Sequence, residues 1–288
     1  MADGKVNISI KVDRPTGPYY PGDVVHATIR LQSEKEVKIQ KARAWLLLWE
    51  RYWFVARSGR RKARTWDIAQ QPVATETLVD EGVIPAGFDQ TYHFDWRIPH
   101  DAPPPCEGKI TRNRWLVKVV IERKLKKDIR AEIKVPLIVP PPGQRVEPGE
   151  YGEAWAWDRA DMQLWLPRLE WMEGETVEGK LLVRPKKDFG AGEVRVELKR
   201  LEHTLRDSGD SYTVIEDETK LAGKAKFHAG ETAEYLFALI IPEQGHPTRK
   251  TAHSTVTWTI KGILNQRIRS DFRVEQEIYV YNGPARPV

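Results

Sequence analysis

The chain has 288 residues, 46 Lys and Arg against 41 Asp and Glu, 40% hydrophobic residues and 30% charged ones. That composition is the one of soluble globular proteins, it excludes disordered and membrane-embedded classes, and the length corresponds to about two ordinary domains. No apolar run approaches the roughly 18 residues a membrane-spanning helix needs, and the single cysteine, Cys106, excludes an intrachain disulfide and suits a reducing compartment.

Met1 to Lys5 lead straight into the alternation Ile8, Ile10, Val12 without an apolar export segment, which makes a cytoplasmic location the expectation. Lys11 and Arg14, on and after this first strand, could extend a basic surface or be ordinary exposed positions. Tyr20-Pro21-Gly22-Asp23 is a turn signal that opens a half-buried strand with Ala27, Ile29 and Leu31 on one face. The next strand, Ala44 to Val55, sets Ala44, Leu46 and Leu48 on one face, while Trp45, Trp49 and Trp53 share the other parity with Arg43, Leu47 and Arg51. If the first face is core, the three indoles line a ligand groove, a partner surface or a joint between domains, or pack under a neighbouring loop.

Arg57-Ser58-Gly59-Arg60-Arg61-Lys62-Ala63-Arg64 follows, with five cations within eight residues around a glycine. Guanidinium groups pair in bidentate fashion with carboxylate or phosphate, so Arg57, Arg60, Arg61, Lys62 and Arg64 are the candidate partner-binding residues. The alternative is a solvated hairpin tip whose charges only confer solubility. Further on, Ala86-Gly87 and Phe94 lead to Ile98-Pro99, which should end a strand because proline cannot donate to the ladder. Cys106 then follows three prolines with no adjacent histidine to activate it. Trp115 reads as a core anchor that fills the space between sheets, its N–H finding a carbonyl. The run Arg123 to Lys127 reads as a polar turn, and from Asp128 the residues Ile129, Ala131, Ile133 and Val135 alternate with polar ones.

Val139-Pro140-Pro141-Pro142-Gly143 and the polar residues after it read as a stiff, extended connector, with Trp155 and Trp157 placed to plug the joint between domains. The signals then recur in order. Ala160, Met162 and Leu164 stand where Ile8, Ile10 and Val12 stood; Glu173-Gly174-Glu175 precedes Gly179, Leu181 and Val183; Ala229-Gly230, Phe237 and Ile241-Pro242 repeat their counterparts. Trp258-Thr259-Ile260-Lys261 matches Trp115-Leu116-Val117-Lys118, and Phe272, Val274, Ile278 and Val280 keep the phase of the strand after Asp128, with Gln276 the one interruption. A one-residue slip would turn every side chain to the wrong face, so agreement of phase marks equivalent strands. A unit this long closes its own core, so the repeat is a duplicated domain rather than a solenoid element. About seven strands per copy, with turn signals roughly every 8 to 12 residues, define an antiparallel β-sandwich.

The order Tyr20-Pro21-Gly22-Asp23, Ile98-Pro99, Pro103-Pro104-Pro105 with Glu107-Gly108-Lys109-Ile110, Trp115-Leu116-Val117-Lys118 and Val135-Pro136-Leu137 resembles the N-terminal domain of the arrestin-like proteins. The second copy, from Trp171-Met172-Glu173-Gly174-Glu175 to Tyr281, resembles their C-terminal domain. That family includes visual and β-arrestins, α-arrestins, a retromer subunit and bacterial sporulation-control proteins, and this chain is most like its short, tail-less members. The resemblance implies an all-β fold of two tandem immunoglobulin-like antiparallel β-sandwiches in an arrestin-like arrangement. Residues 1–142 would form the N-terminal sandwich, 143–158 the connector and 159–288 the C-terminal sandwich. It also implies a non-catalytic adaptor that binds a protein or peptide, acidic or phosphorylated, through cupped faces and the basic loop, with an anionic membrane surface as a further candidate. There is no Pro-Pro-Xaa-Tyr motif to carry recruitment of ubiquitin ligases.

The remaining residues point away from catalysis. The seven histidines show no metal-ligand spacing, Gly190-Ala191-Gly192 precedes no helix that could cradle phosphate, and no carboxylate pair stands out as acid and base, so no catalytic residue, metal or cofactor is expected. Residues 1–142 hold 25 Lys and Arg against 17 Asp and Glu, and the remainder 21 against 24, which makes the first half the partner for anything anionic. Nucleic acid is not expected, because basic and aromatic residues do not interleave on one predicted face. A carbohydrate-binding module using exposed tryptophans is the alternative function.

Overall fold

Alternating apolar and polar residues produce strands throughout. The computed structural model describes residues 6–58, 61–143, 147–155, 159–206, 209–266 and 270–284, without the side chains of Arg57, Ser58, Arg61, Lys62, Ala154 and Trp155. Among the described residues there is no helix, and so none long and apolar enough to cross a membrane.

The first half holds β1 (Val6–Val12), β2 (Val24–Ser33), β3 (Val37–Ile39), β4 (Lys41–Ser58), β5 (Arg61–Val79), β6 (Gly82–Ile84), β7 (Phe88–Arg97), β8 (Cys106–Glu107), β9 (Thr111–Glu122) and β10 (Ile129–Val135). The second holds β11 (Gly149–Tyr151), β12 (Glu153–Trp155), β13 (Ala160–Leu166), β14 (Glu170–Met172), β15 (Thr176–Pro185), β16 (Phe189–Ala191), β17 (Glu193–Thr204), β18 (Asp210–Ala222), β19 (Ala225–Phe227), β20 (Ala233–Ile240), β21 (Arg249–Lys250), β22 (Ser254–Asn265) and β23 (Phe272–Tyr281). Strands β7 and β20 end just before Ile98-Pro99 and at Ile240, as the prolines require.

Two sandwiches result. One has sheets ordered β1-β2-β7 and β10-β9-β4-β5, seven principal strands; the other has β11-β13-β15-β20 and β12-β23-β22-β17-β18. Strands β11 and β12, read from the sequence as connector, pair with β13 and β23. Strands of three residues are too short for any period to reveal. Each sandwich buries its inward-facing residues: Ile29, Leu31, Leu46, Trp115 and Ile121 in the first, Met162, Leu164, Leu198, Trp258 and Ile260 in the second. Each fully buried aliphatic side chain contributes about 1.5–3 kcal/mol.

The residues group into two compact units. The first is Met1–Tyr52, Trp66–Pro105 and Arg112–Val139, and the second is Trp53–Thr65, Cys106–Thr111 and Pro140–Val288.

The copies match in detail. Gln40 N–H donates to Glu122 C=O at 2.8 Å, as Gly192 N–H does to Asn265 C=O at 2.8 Å. At the other end, Trp53 N–H donates to Ile110 C=O at 2.9 Å, as Leu205 N–H does to His253 C=O at 2.8 Å. These four bonds fix the register, so Trp45, Leu47 and Trp49 on β4 correspond to Glu197, Lys199 and Leu201 on β17. Glu50 corresponds to Glu202, and both are fully buried.

Candidate functional site

The hairpin of β4 and β5 is the most unusual local element, with strands of 18 and 19 residues where 5 or 6 is ordinary. Up to Tyr52, β4 alternates buried and half-buried residues; from Trp53 to Ala56 every residue is half-buried, and Ala63 to Thr65 on β5 are exposed. The candidate cations lie in this distal part. Arg60 lies outside the described residues, and Arg57, Arg61 and Lys62 are placed by backbone only, Arg57 at the end of β4 and Arg61 and Lys62 at the start of β5. The basic stretch is therefore mostly strand rather than a free loop.

Arg64 is fully described. Its Nε and Nη2 each lie 3.1 Å from a carboxylate oxygen of Asp210, whose side chain is 8% exposed while that of Arg64 is 61% exposed. The guanidinium also lies 5.7 Å from the centre of the Trp53 ring, and Arg206 lies 4.0 Å over Phe54. A near-buried carboxylate thus holds a cation that still presents most of its surface to solvent. Asp210 carries no sequence signal, since it is one acid among many after a turn.

Trp45, Trp49 and Trp53 do share one parity, and all three are half-buried, with Ala44, Leu46 and Leu48 in the core. Cations cover them. Arg43 lies 5.3 Å from the centre of the Trp45 ring and Arg114 4.4 Å from that of Trp49, while Arg51 and Arg112 lie 4.2 and 6.0 Å from Trp66. Basic and aromatic residues therefore do interleave on one face, contrary to the expectation from sequence. Arg43, Trp45, Trp49, Arg51 and Trp53 share one parity of β4, and β9 and β5 add Arg112, Arg114 and Trp66, a cross-strand part that single-strand periodicity cannot register. Leu47, Leu116 and Val120 point outward on this face yet are buried. A groove of about 340 Å³ opens on this face between Trp45, Pro72, Lys118 and Arg130. Lys118 donates to Gln70 at 2.7 Å, and partial burial lowers its pKa.

A carbohydrate platform fits this face poorly, because a sugar ring needs a bare indole and guanidinium groups lie over these. Of the two tryptophans near the connector, Trp157 lies outside the described residues and Trp155 is placed by backbone only. Lys11 is exposed. Arg14 is engaged by Asp23 at 2.9 Å, by Pro18 C=O at 3.1 Å and by the Tyr19 ring at 4.1 Å. The Arg123 to Lys127 run is a turn, as expected, closed by Arg123 Nε donating to Lys127 C=O at 2.9 Å.

In the second unit, Glu202 accepts the backbone N–H groups of Lys109 at 2.9 Å and Ile110 at 2.8 Å and pairs with Arg200, which also reaches Glu216 at 2.6 Å. Arg249 donates to the hydroxyls of Thr111 at 2.6 Å and Ser254 at 3.0 Å. This is a closed structural network, and sequence offered no sign of it. Cys106 is buried, and burial pushes its thiol pKa up, which is the opposite of what a nucleophile requires. Among the described residues no group of three His, Cys, Asp or Glu could hold a metal ion. A second groove, of about 710 Å³, is lined by Trp165, Glu178, Lys180, Leu236 and Ala238. The adjacent edge strand β20 is blunted by side chains of β18: Asp217 accepts from Ile240 N–H at 2.7 Å and Thr219 donates to Ala238 C=O at 2.9 Å.

Duplicated antiparallel sandwiches with buried aromatic anchors define a tandem β-sandwich protein. Residues 2–142 match the family model described as arrestin (or S-antigen), C-terminal domain. The protein is arrestin-like. The match falls on the copy whose motif order resembles the N-terminal domain. Both copies carry the same turn and strand signals, so a description of one type of copy can recognise the other. A search of the curated proteins finds no match. Arrestin-family domains in general serve non-catalytic adaptor roles and bind protein partners.

Proposed function

We propose that this protein is a cytoplasmic, non-catalytic adaptor that holds an acidic or phosphorylated segment of a protein partner against the cations of the β4–β5 hairpin. The observation that carries this reading is the hairpin itself. Two strands far longer than folding a sandwich requires lead into the stretch of sequence that holds Arg57, Arg60, Arg61, Lys62 and Arg64 within eight residues. Guanidinium groups pair with carboxylate and phosphate oxygens through two parallel hydrogen bonds. Arg64 supports the same reading, since its anchorage to Asp210 positions a cation that remains mostly exposed. Cupped sandwich faces would add contact area around the captured segment.

The test is a titration of fluorescent peptides, one rich in glutamate and one with phosphoserine in its place, against the parent chain and the variant Arg60→Gln/Arg61→Gln/Lys62→Gln. Loss of binding with unchanged thermal stability is the expected result, because tip charges contribute little to folding. Equal binding by parent and variant would remove the hairpin from the site.

A further inference from the structure

The duplication supplies an internal control for the outward face of β9, β4 and β5. In the second copy the same positions are self-neutralising: Glu197 sits 2.8 Å from both Arg195 and Lys199, Lys261 pairs with Glu275, and Thr255 and Thr257 replace Arg112 and Arg114. A sandwich of this topology is thus closed without tryptophan at these positions, and Arg195, which stands where Arg43 does, is held by Glu193 and Glu197. The first copy instead places Arg43, Arg51, Arg112 and Arg114 over Trp45, Trp49 and Trp66, with Lys118 and Arg130 beside them. The acids of this face are Glu122, which pairs with Arg43, Asp128, which lies 2.9 Å from Arg130, and Glu132, which faces Lys118 across the β9–β10 ladder. Folding does not require tryptophan at 45 and 49 or arginine at 112 and 114, where the second copy has Glu197, Leu201, Thr255 and Thr257, so a ligand accounts for them better.

We infer that this face is a platform for single-stranded nucleic acid, with phosphates paired to Arg43, Arg51, Arg112 and Arg114 and bases stacked on the guanidinium–indole layers. The charge selects an anionic chain. Bases stack on guanidinium planes as well as on aromatic rings, which suits indoles already covered by arginine. Alternate residues along a strand are about 6.8 Å apart, close to the reach of one extended nucleotide. An acidic peptide fits less well, because β9 and β4 lie inside the sheet and expose no main-chain groups for an extended peptide to pair with. This platform is separate from the peptide site proposed at the hairpin tip.

Fluorescein-labelled oligo(dT) of about 15 nucleotides, followed by anisotropy from about 50 to about 300 mM KCl, tests the inference. Four phosphate contacts on a single strand predict a log–log salt slope of about −3, halved in Arg112→Thr/Arg114→Thr, with affinity down about tenfold or more at the lower salt. These two changes install the second copy's own residues. The control Lys124→Gln/Lys126→Gln/Lys127→Gln, which removes three cations from the β9–β10 turn, should bind like the parent. An abasic strand of equal length should bind the unaltered chain at least about fivefold more weakly, a comparison that depends on no variant folding. The inference is overturned if the oligonucleotide does not bind at low salt, if the abasic strand binds equally, if the turn variant loses as much as the Arg112/Arg114 variant, or if polyglutamate of equal charge displaces the strand as well as unlabelled oligo(dT) does.

Discussion

Trp115 and Trp258 each donate the indole N–H to the carbonyl of the residue twelve positions earlier, Pro103 at 3.1 Å and His246 at 2.8 Å. Both rings are buried, and each sits in the core of its own sandwich. Two copies that keep the same long-range side-chain bond through extensive sequence change keep it because the indole must satisfy its donor once buried.

Trp115→Phe and Trp258→Phe should therefore each lower stability, by about 1–3 kcal/mol, from the orphaned carbonyl together with the lost ring volume. Urea denaturation followed by circular dichroism measures it. A midpoint unchanged in either variant would mean that the shared bond is incidental.

Glu202 should be the costliest single polar residue of the second unit. It is fully buried, it accepts two backbone N–H groups, and it neutralises Arg200. Glu202→Ala leaves both donors without their partner and takes one of two paired carboxylates from Arg200, and it should cost about 3–5 kcal/mol. Glu202→Gln retains an acceptor oxygen and should cost less. Gly108→Ala should fail for a related reason, because its Cβ would lie 2.5 Å from the Glu202 carboxylate and 2.7 Å from the Thr111 carbonyl. A soluble, fully stable Glu202→Ala protein would contradict this account.

The sandwich strands were legible from the sequence because their cores lie on one parity: Ala160, Met162 and Leu164 are all fully buried, and Phe272, Val274, Ile278 and Val280 face inward with Gln276 half-buried among them. The Trp45, Trp49 and Trp53 parity was legible on the same ground. What sequence could not deliver depends on pairing between strands. The Arg114–Trp49 and Arg51–Trp66 stacks join residues of different strands, and the Arg64–Asp210 pair joins residues 146 positions apart. Periodicity reports which way a side chain points and carries no information on what meets it there. Strands β11 and β12 were missed because three residues are too few to show any period.

Glu173 predicts a pH dependence. Burial raises its carboxyl to about 7, opposed in part by the backbone N–H groups of His246 and Gly245 and reinforced by nearby Glu243. A folded-state pKa above the unfolded value means that the folded chain holds the proton more tightly. The associated stability is fully present below about pH 4.5 and is lost as pH rises towards 7. His246, beside it, has its pKa lowered by burial and so opposes this trend on the acid side of 6.5, where its own contribution falls as pH falls. Glu173→Gln keeps an acceptor for the two N–H groups and removes the titration. Its melting temperature should exceed that of the parent by more at pH 8 than at pH 5, and a difference independent of pH would show that Glu173 ionises as freely folded as unfolded.

Leu125 predicts a stabilising change. It occupies the turn between β9 and β10 with φ at 61°, the one described residue other than glycine in the left-handed region, and it is 97% exposed. A Cβ-bearing side chain there costs about 1–2 kcal/mol, and Leu gains nothing in return because it touches almost nothing. Asparagine tolerates this conformation through its own local hydrogen bonds, and unlike glycine it adds little freedom to the unfolded chain. Leu125→Asn should raise the stability of the first unit by up to about 1 kcal/mol without altering binding at either proposed site. A thermal melt compares the two chains directly. A lower melting temperature for Leu125→Asn would mean that the turn draws its stability from the leucine side chain after all, which its exposure argues against.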